Sequence, residues 1–109
     1  MIKVTFLYPK TEGSRFDLGY YLTKHLDLSR DAFGAVLRGI EIDQGLSGIE
    51  PGSPSPYHVA AHLMFDCVED FYTALMPRVE ELRADVANYF DGEAIIQISE
   101  PIELERPAP

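Results

Sequence analysis

The stretch Tyr57-His58-Val59-Ala60-Ala61-His62-Leu63-Met64-Phe65-Asp66-Cys67-Val68-Glu69-Asp70-Phe71 carries two periodicities in succession. Tyr57, Val59, Ala61, Leu63 and Phe65 alternate with His58, Ala60, His62 and Met64, the period of two that a β-strand imposes on its faces. Asp66 ends the alternation, and Val68, Phe71, Tyr72 and Leu75 then take up helical spacing. With Glu69 three residues on, Asp66 reads as the cap of that helix in a capping-box-like pair.

Upstream, Ile2, Val4, Phe6 and Tyr8 form a first strand that Pro9 ends. Asp17 then caps a helix over residues 18–30, with Phe16 stapled onto Tyr21 and Gly34 as its stop. Leu18, Tyr21, Leu22, His25 and Leu28 make the expected inward stripe. Residues 36–46 read as a second strand, at a sheet edge because its faces differ sharply in polarity. The Pro- and Gly-rich residues 47–56 follow as a long surface loop, a plain connection or alternatively a flap over a pocket. Downstream, Pro77 breaks the second helix, and Val79, Leu82 and Val86 continue it. Asp91-Gly92 turns the chain into a last strand over 94–99, and residues 100–109 form a tail without a core pattern, free to lie over a partner subunit.

This order, βαββαβ, predicts one α+β domain over residues 1–109 of ferredoxin-like type, a four-stranded antiparallel sheet with two helices on one face. Leu7, Ala60, Met64 and one of Ile95 and Ile96 would then face away from the helices, more apolar surface than a monomer usually exposes. A homodimer through the sheet faces is the expected solution.

Composition narrows the function. A formal charge of -9 opposes nucleic acid and anionic membranes as partners, and no run approaches the roughly 18 apolar residues of a membrane span. Residues 1–8 show no leader pattern and the single cysteine, Cys67, forms no intrachain disulfide, so a cytoplasmic location is expected. Phosphate loops and Gly-x-Ser-x-Gly elbows are absent, which argues against ATP, NAD and serine hydrolysis.

Four segments together resemble one family: Ile2-Lys3-Val4-Thr5-Phe6-Leu7-Tyr8-Pro9, Phe16-Asp17-x-x-Tyr20-Tyr21-x-x-x-His25, Phe65-Asp66-Cys67-Val68-Glu69-Asp70-Phe71 and Ile95-Ile96-Gln97-Ile98-Ser99-Glu100. In order and spacing the chain is similar to the EthD proteins of the dimeric α+β barrel superfamily. The resemblance implies a ferredoxin-like fold whose sheets pair into a barrel in a homodimer. It also implies an association with the degradation of ethers and aromatic compounds, often under the label of oxidoreductase, without a nucleotide or flavin motif. Relatives on the same barrel include cofactor-free monooxygenases, polyketide cyclases, lactone isomerases and haem-degrading proteins. Leu26-Asp27-Leu28 departs from the family's His-x-Pro-Leu run, and Asp27 does not kink a helix as proline would. Cys67 stands where a serine is usual, which counts against a catalytic thiol.

The candidate chemistry centres on His25, read either as a general acid or base among leucines or as a core histidine bonded to a carbonyl or tyrosine. A His25 sealed in the core with both nitrogens paired to protein would be structural. Tyr21, one turn earlier, orients the imidazole or walls a pocket. Phe6, Tyr8, His62, Tyr89 and Phe90 are the other pocket-lining candidates. Alternation alone leaves open which sheet face His62 occupies, the pocket or the dimer seam. His58 and His62 lack the spacing of a metal motif, and no metal or other cofactor is expected. Cys67 reads as a small buried residue.

The leading expectation is a cofactor-free enzyme of oxygenase, cyclase or isomerase type. It would act on a small hydrophobic or aromatic carbonyl compound in a degradation or secondary-metabolite pathway. The rivals are a non-catalytic accessory protein that holds a metabolite for an oxygenase system, and a haem-binding protein with His25 or His62 as axial ligand.

Overall fold

The computed structural model describes residues 1–104; the end of the expected tail, residues 105–109, lies outside them. Four strands, β1 (Ile2–Pro9), β2 (Gly39–Gln44), β3 (Tyr57–Phe65) and β4 (Ile95–Ser99), form one antiparallel sheet in the order β2-β3-β1-β4. Register follows the alternation. Val4 sits between Leu63 and Ile98, and Phe6 between Ala61 and Ile96, so these side chains share the face beneath the helices. Leu7 lies between Ala60 and Ile95 on the open face, which assigns Ile95 there and Ile96 to the helix side. The edge position of β2 agrees with its uneven faces.

Two helical arms cover the other face. The first comprises α1 (Leu18–Tyr20), a π-helical segment (Tyr21–His25), α2 (Leu26–Phe33) and a 3-10 turn (Gly34–Val36). Asp17 caps it by accepting the Tyr20 N–H at 3.0 Å, and the Phe16 and Tyr21 rings pack at 5.2 Å, as capping and stapling predict. The second comprises α3 (Val68–Leu75), a 3-10 turn at Pro77, α4 (Val79–Asp85) and a 3-10 turn (Val86–Asn88).

Several local expectations need correction. The helix expected over residues 18–30, with 31–34 as its frayed end or an extra turn, continues in α2 to Phe33, and Gly34 at φ 57° stops it. Within it the Leu26 N–H reaches back five residues to Tyr21 O, and this wider turn shifts the phase of the inward stripe. Leu26, Ser29 and Phe33 point inward, whereas Leu22 is exposed. Asp66 does not cap α3. Cys67 holds the cap position without a side-chain bond, and Asp66 Oδ2 instead accepts from Arg38 Nη2 at 2.9 Å and Nε at 3.2 Å. A charge-assisted pair outcompetes a neutral backbone donor for the carboxylate. Cys67 is exposed, not buried, because the cap position opens to solvent.

The core divides into two aromatic groups. Phe33, Phe65 and Phe71 pack at 5.2–5.7 Å toward one end. At the other end Tyr8, Phe16, Tyr21, Tyr89 and Phe90 meet one another, most in edge-on or tilted contacts. Backbone bonds fasten this second end: Asp17 N–H donates to Tyr89 O at 2.7 Å, and Phe16 bridges Phe90. The start of the first arm is thereby tied to the end of the second.

Candidate functional site

Between the sheet and the two arms lies a cavity of about 680 Å³. Phe6, Tyr8 and Leu63 form its floor, the face of the first arm from Tyr21 to Phe33 one wall, and Leu75, Leu82 and Val86 the other. It opens beside Ile96, which faces the helix layer yet is 56% exposed because neither arm reaches the β4 edge. Of the residues singled out from sequence, Phe6, Tyr8, Tyr21, His25, Tyr89 and Phe90 all border this space.

His62 does not, which corrects its assignment to the pocket. Its position between Ala61 and Leu63 turns it to the open sheet face. There Nδ1 lies 3.0 Å from Thr5 Oγ1, and Nε2 lies 3.1 Å from Asp43 Oδ2. His58 is held near the sheet end, with Nε2 2.8 Å from Ser14 Oγ and its ring stacked on Phe16. Among the described residues no three His, Cys, Asp or Glu side chains group as metal ligands.

His25 is 8% exposed and its ring nitrogens play distinct parts. Nδ1 lies 2.8 Å from Asp85 Oδ2. An ionised carboxylate only accepts, so Nδ1 carries the proton and Nε2 of the neutral ring keeps its lone pair. The Tyr89 hydroxyl therefore donates to Nε2, at 3.4 Å, and accepts from the Tyr8 hydroxyl at 3.0 Å. Both nitrogens thus meet protein groups, but the Nε2 contact is at the long limit of a hydrogen bond and the ring borders the cavity. The imidazole is buried without being sealed. Tyr21 stacks on it at 5.4 Å, with the planes 19° apart.

Asp85 is itself held in place. Its Oδ1 accepts from the Tyr20 hydroxyl at 2.6 Å and from Asn88 Nδ2 at 3.0 Å. Burial pushes the Asp85 carboxyl up, but the bonds from Tyr20, Asn88 and His25 outweigh it and leave the pKa below its ordinary value. Burial holds the His25 pKa below 6.5 against the opposing pull of Asp85, so the pair at neutral pH is imidazole and carboxylate. Burial also pushes the phenols of Tyr8, Tyr21 and Tyr89 well above 10, so each stays protonated at any physiological pH.

Asp85 and Asn88 were not singled out from the sequence, and Tyr20 entered only as part of the family motif, without a role. Asp85, Asn88 and Tyr89 do share the i, i+3, i+4 spacing of one helical face, a signal that marks a face without saying what it meets. Sixty residues separate Asp85 from His25, and only the docking of the two arms joins them.

Comparison with solved structures decides the family. An EthD-like protein from Ralstonia eutropha JMP134 is 35% identical over 96% of this chain and 94% of its own, with a TM-score of 0.88. The chain belongs to the EthD family. An ethyl tert-butyl ether D (EthD) family protein from Bacillus halodurans C-125 is more distant, at 20% identity over 94% of this chain and 99% of its own, with a TM-score of 0.71. A protein from Arabidopsis thaliana, 13% identical over 96% of this chain and 98% of its own with a TM-score of 0.64, shares the fold alone. No protein-family model and no curated protein matches the chain. In this EthD protein no helix among the described residues is long and apolar enough to cross a membrane.

Proposed function

We propose that this EthD protein is a cofactor-free enzyme that moves a proton on a small hydrophobic or aromatic carbonyl compound, with His25 as the base. The observation that carries the reading is the His25–Asp85 pair at the wall of a largely apolar cavity. At about 680 Å³ the space falls within the roughly 300–1,000 Å³ of small-molecule sites.

The chemistry is enolisation. As substrate enters, the Tyr89 hydroxyl turns from Nε2 to the substrate carbonyl oxygen; the freed Nε2 lone pair takes a proton from the carbon next to that carbonyl, the C–H electron pair moves into the new carbon–carbon double bond, and the carbonyl π pair moves onto oxygen. Asp85, fixed by Tyr20 and Asn88, stabilises the imidazolium that forms. A phenol that keeps its proton, Tyr89 or Tyr21, donates to the enolate oxygen, where charge develops in a water-poor setting. Return of the proton to another carbon gives an isomerase, and attack of the enolate on a second carbonyl gives a cyclase. An oxygenase would add molecular oxygen to the same carbanion. The apolar open face supports a homodimer through the sheets, which would close the barrel.

Incubating the protein with aryl ketones in deuterium oxide tests the reading by NMR. Wild type exchanges the α-hydrogens at least tenfold faster than His25→Ala, and equal rates with the two proteins would refute it. The rival reading as a metabolite carrier predicts binding without exchange.

A further inference from the structure

Ser29 is buried, 5% exposed, among apolar lining residues of the cavity that include Leu26, Phe33, Leu63, Phe71 and Leu75. A serine inside a helix ordinarily satisfies its hydroxyl by bonding back to the carbonyl four residues earlier. Thr23 does so in this same arm, donating to Gly19 O at 2.7 Å. Ser29 has no such bond, and its Oγ meets no other side-chain or backbone partner among the described residues. Yet among the described residues no fully buried side-chain oxygen or nitrogen is left without a partner. The Ser29 hydroxyl therefore retains accessible surface, and the residue is one of those that line the cavity. A polar group kept unpaired in an apolar wall is disfavoured unless a ligand or water completes it.

The helix sets its distance from the proposed base. Ser29 follows His25 by four residues, so the two side chains stand on one face about 6 Å apart along the axis. Phe33, one turn further, closes the far end by stacking on Phe71 at 5.7 Å. The wall thus presents an imidazole nitrogen and a hydroxyl with one turn of apolar surface between them. That separation suits an aromatic ring with an oxygen function at each end.

We propose that Ser29 is a substrate-binding residue and that the cavity takes an aryl carbonyl compound with a second oxygen para to the carbonyl group. The carbonyl end would meet His25 and Tyr89, and the second oxygen Ser29. This rests on the reading of the cavity as the substrate site.

The test compares 4-hydroxyacetophenone with acetophenone, which lacks the second oxygen, by NMR titration of wild type and Ser29→Ala. Alanine favours helix, so the variant keeps the fold. The hydroxylated probe is expected to bind wild type about 3–10-fold more tightly than the Ser29→Ala variant, the range of one neutral hydrogen bond. Acetophenone is expected to bind both alike. Equal loss for both probes, or no loss for either, would overturn the role of Ser29 while leaving the cavity as the substrate site. Failure of both probes to shift cavity residues in wild type would overturn the cavity reading, and the role of Ser29 with it.

Discussion

His25 lies at the balance of two opposed effects, burial that favours the neutral ring and a carboxylate that favours the charged one. Replacing that carboxylate in Asp85→Asn leaves burial unopposed, so the His25 titration followed by NMR moves to lower pH than in wild type. An unmoved midpoint would mean that Asp85 holds the ring without polarising it. The same shift makes acid destabilising. The unfolded chain takes up a proton near pH 6.5 that the native His25 resists, so its contribution is complete above 6.5 and is lost as pH falls toward the lower native pKa. His58, also held low by burial and by Lys10, acts in the same direction, and the depressed Asp85 carboxyl extends the loss at lower pH. The urea midpoint is therefore expected to fall between pH 7 and 5, and His25→Gln to flatten the profile without abolishing the slope left by His58.

At the scale of elements, the first arm decides which side chains reach the cavity. Its π-helical segment shifts the stripe, exchanging the predicted Leu22 for Leu26, while Ser29 and Phe33 follow His25 on its own face at i+4 and i+8. The 3.6-residue period does not contain that information, because a π turn depends on a backbone bond from Leu26 to Tyr21 that no composition marks. The end of the arm is legible. Gly34 sits at φ 57° and ψ −136°, a region that side chains rarely adopt. A Cβ there meets nothing within 4 Å, so the penalty of Gly34→Ala is conformational rather than steric. The variant should lose about 1–3 kcal/mol of unfolding free energy by chemical denaturation, and a gain would show that the turn relaxes freely. The capping expectation failed at Asp66 for a different reason: the guanidinium of Arg38, just before β2 and distant in sequence, competed for the carboxylate.

Across the whole molecule, a single sheet under one layer of helices gives a slab of 47 × 39 × 20 Å. One broad face is bare strand, with Leu7, Ala60 and Ile95 aligned across it by register and Met64 on the same face further along β3, beyond the Thr5–His62 rung. Sheet-to-sheet pairing would bury this row and the Thr5–His62–Asp43 bonds together. The expected solution mass by light scattering is twice the 12.2 kDa of the chain. Leu7→Glu, which introduces a charge into the row, should return the monomer with an unchanged far-ultraviolet circular dichroism spectrum. A wild-type monomer at high micromolar concentration would refute the pairing. The charge of -9 on each chain further predicts weaker association at low salt.

By itself the sequence determined the element order, the ferredoxin-like topology, the edge strand and the family, because strand alternation, helix stripes and turn residues act between near neighbours. It also identified two residues of one cavity wall, since Tyr21 and His25 share a helix face. The tertiary structure alone decided the rest. Asp85 reaches His25 across sixty residues, Arg38 takes the Asp66 carboxylate away from the α3 cap, and Leu26 replaces Leu22 in the cavity wall. Each of these depends on the docking of one element against another or on a shift in helical phase, and neither leaves a periodic trace in the chain.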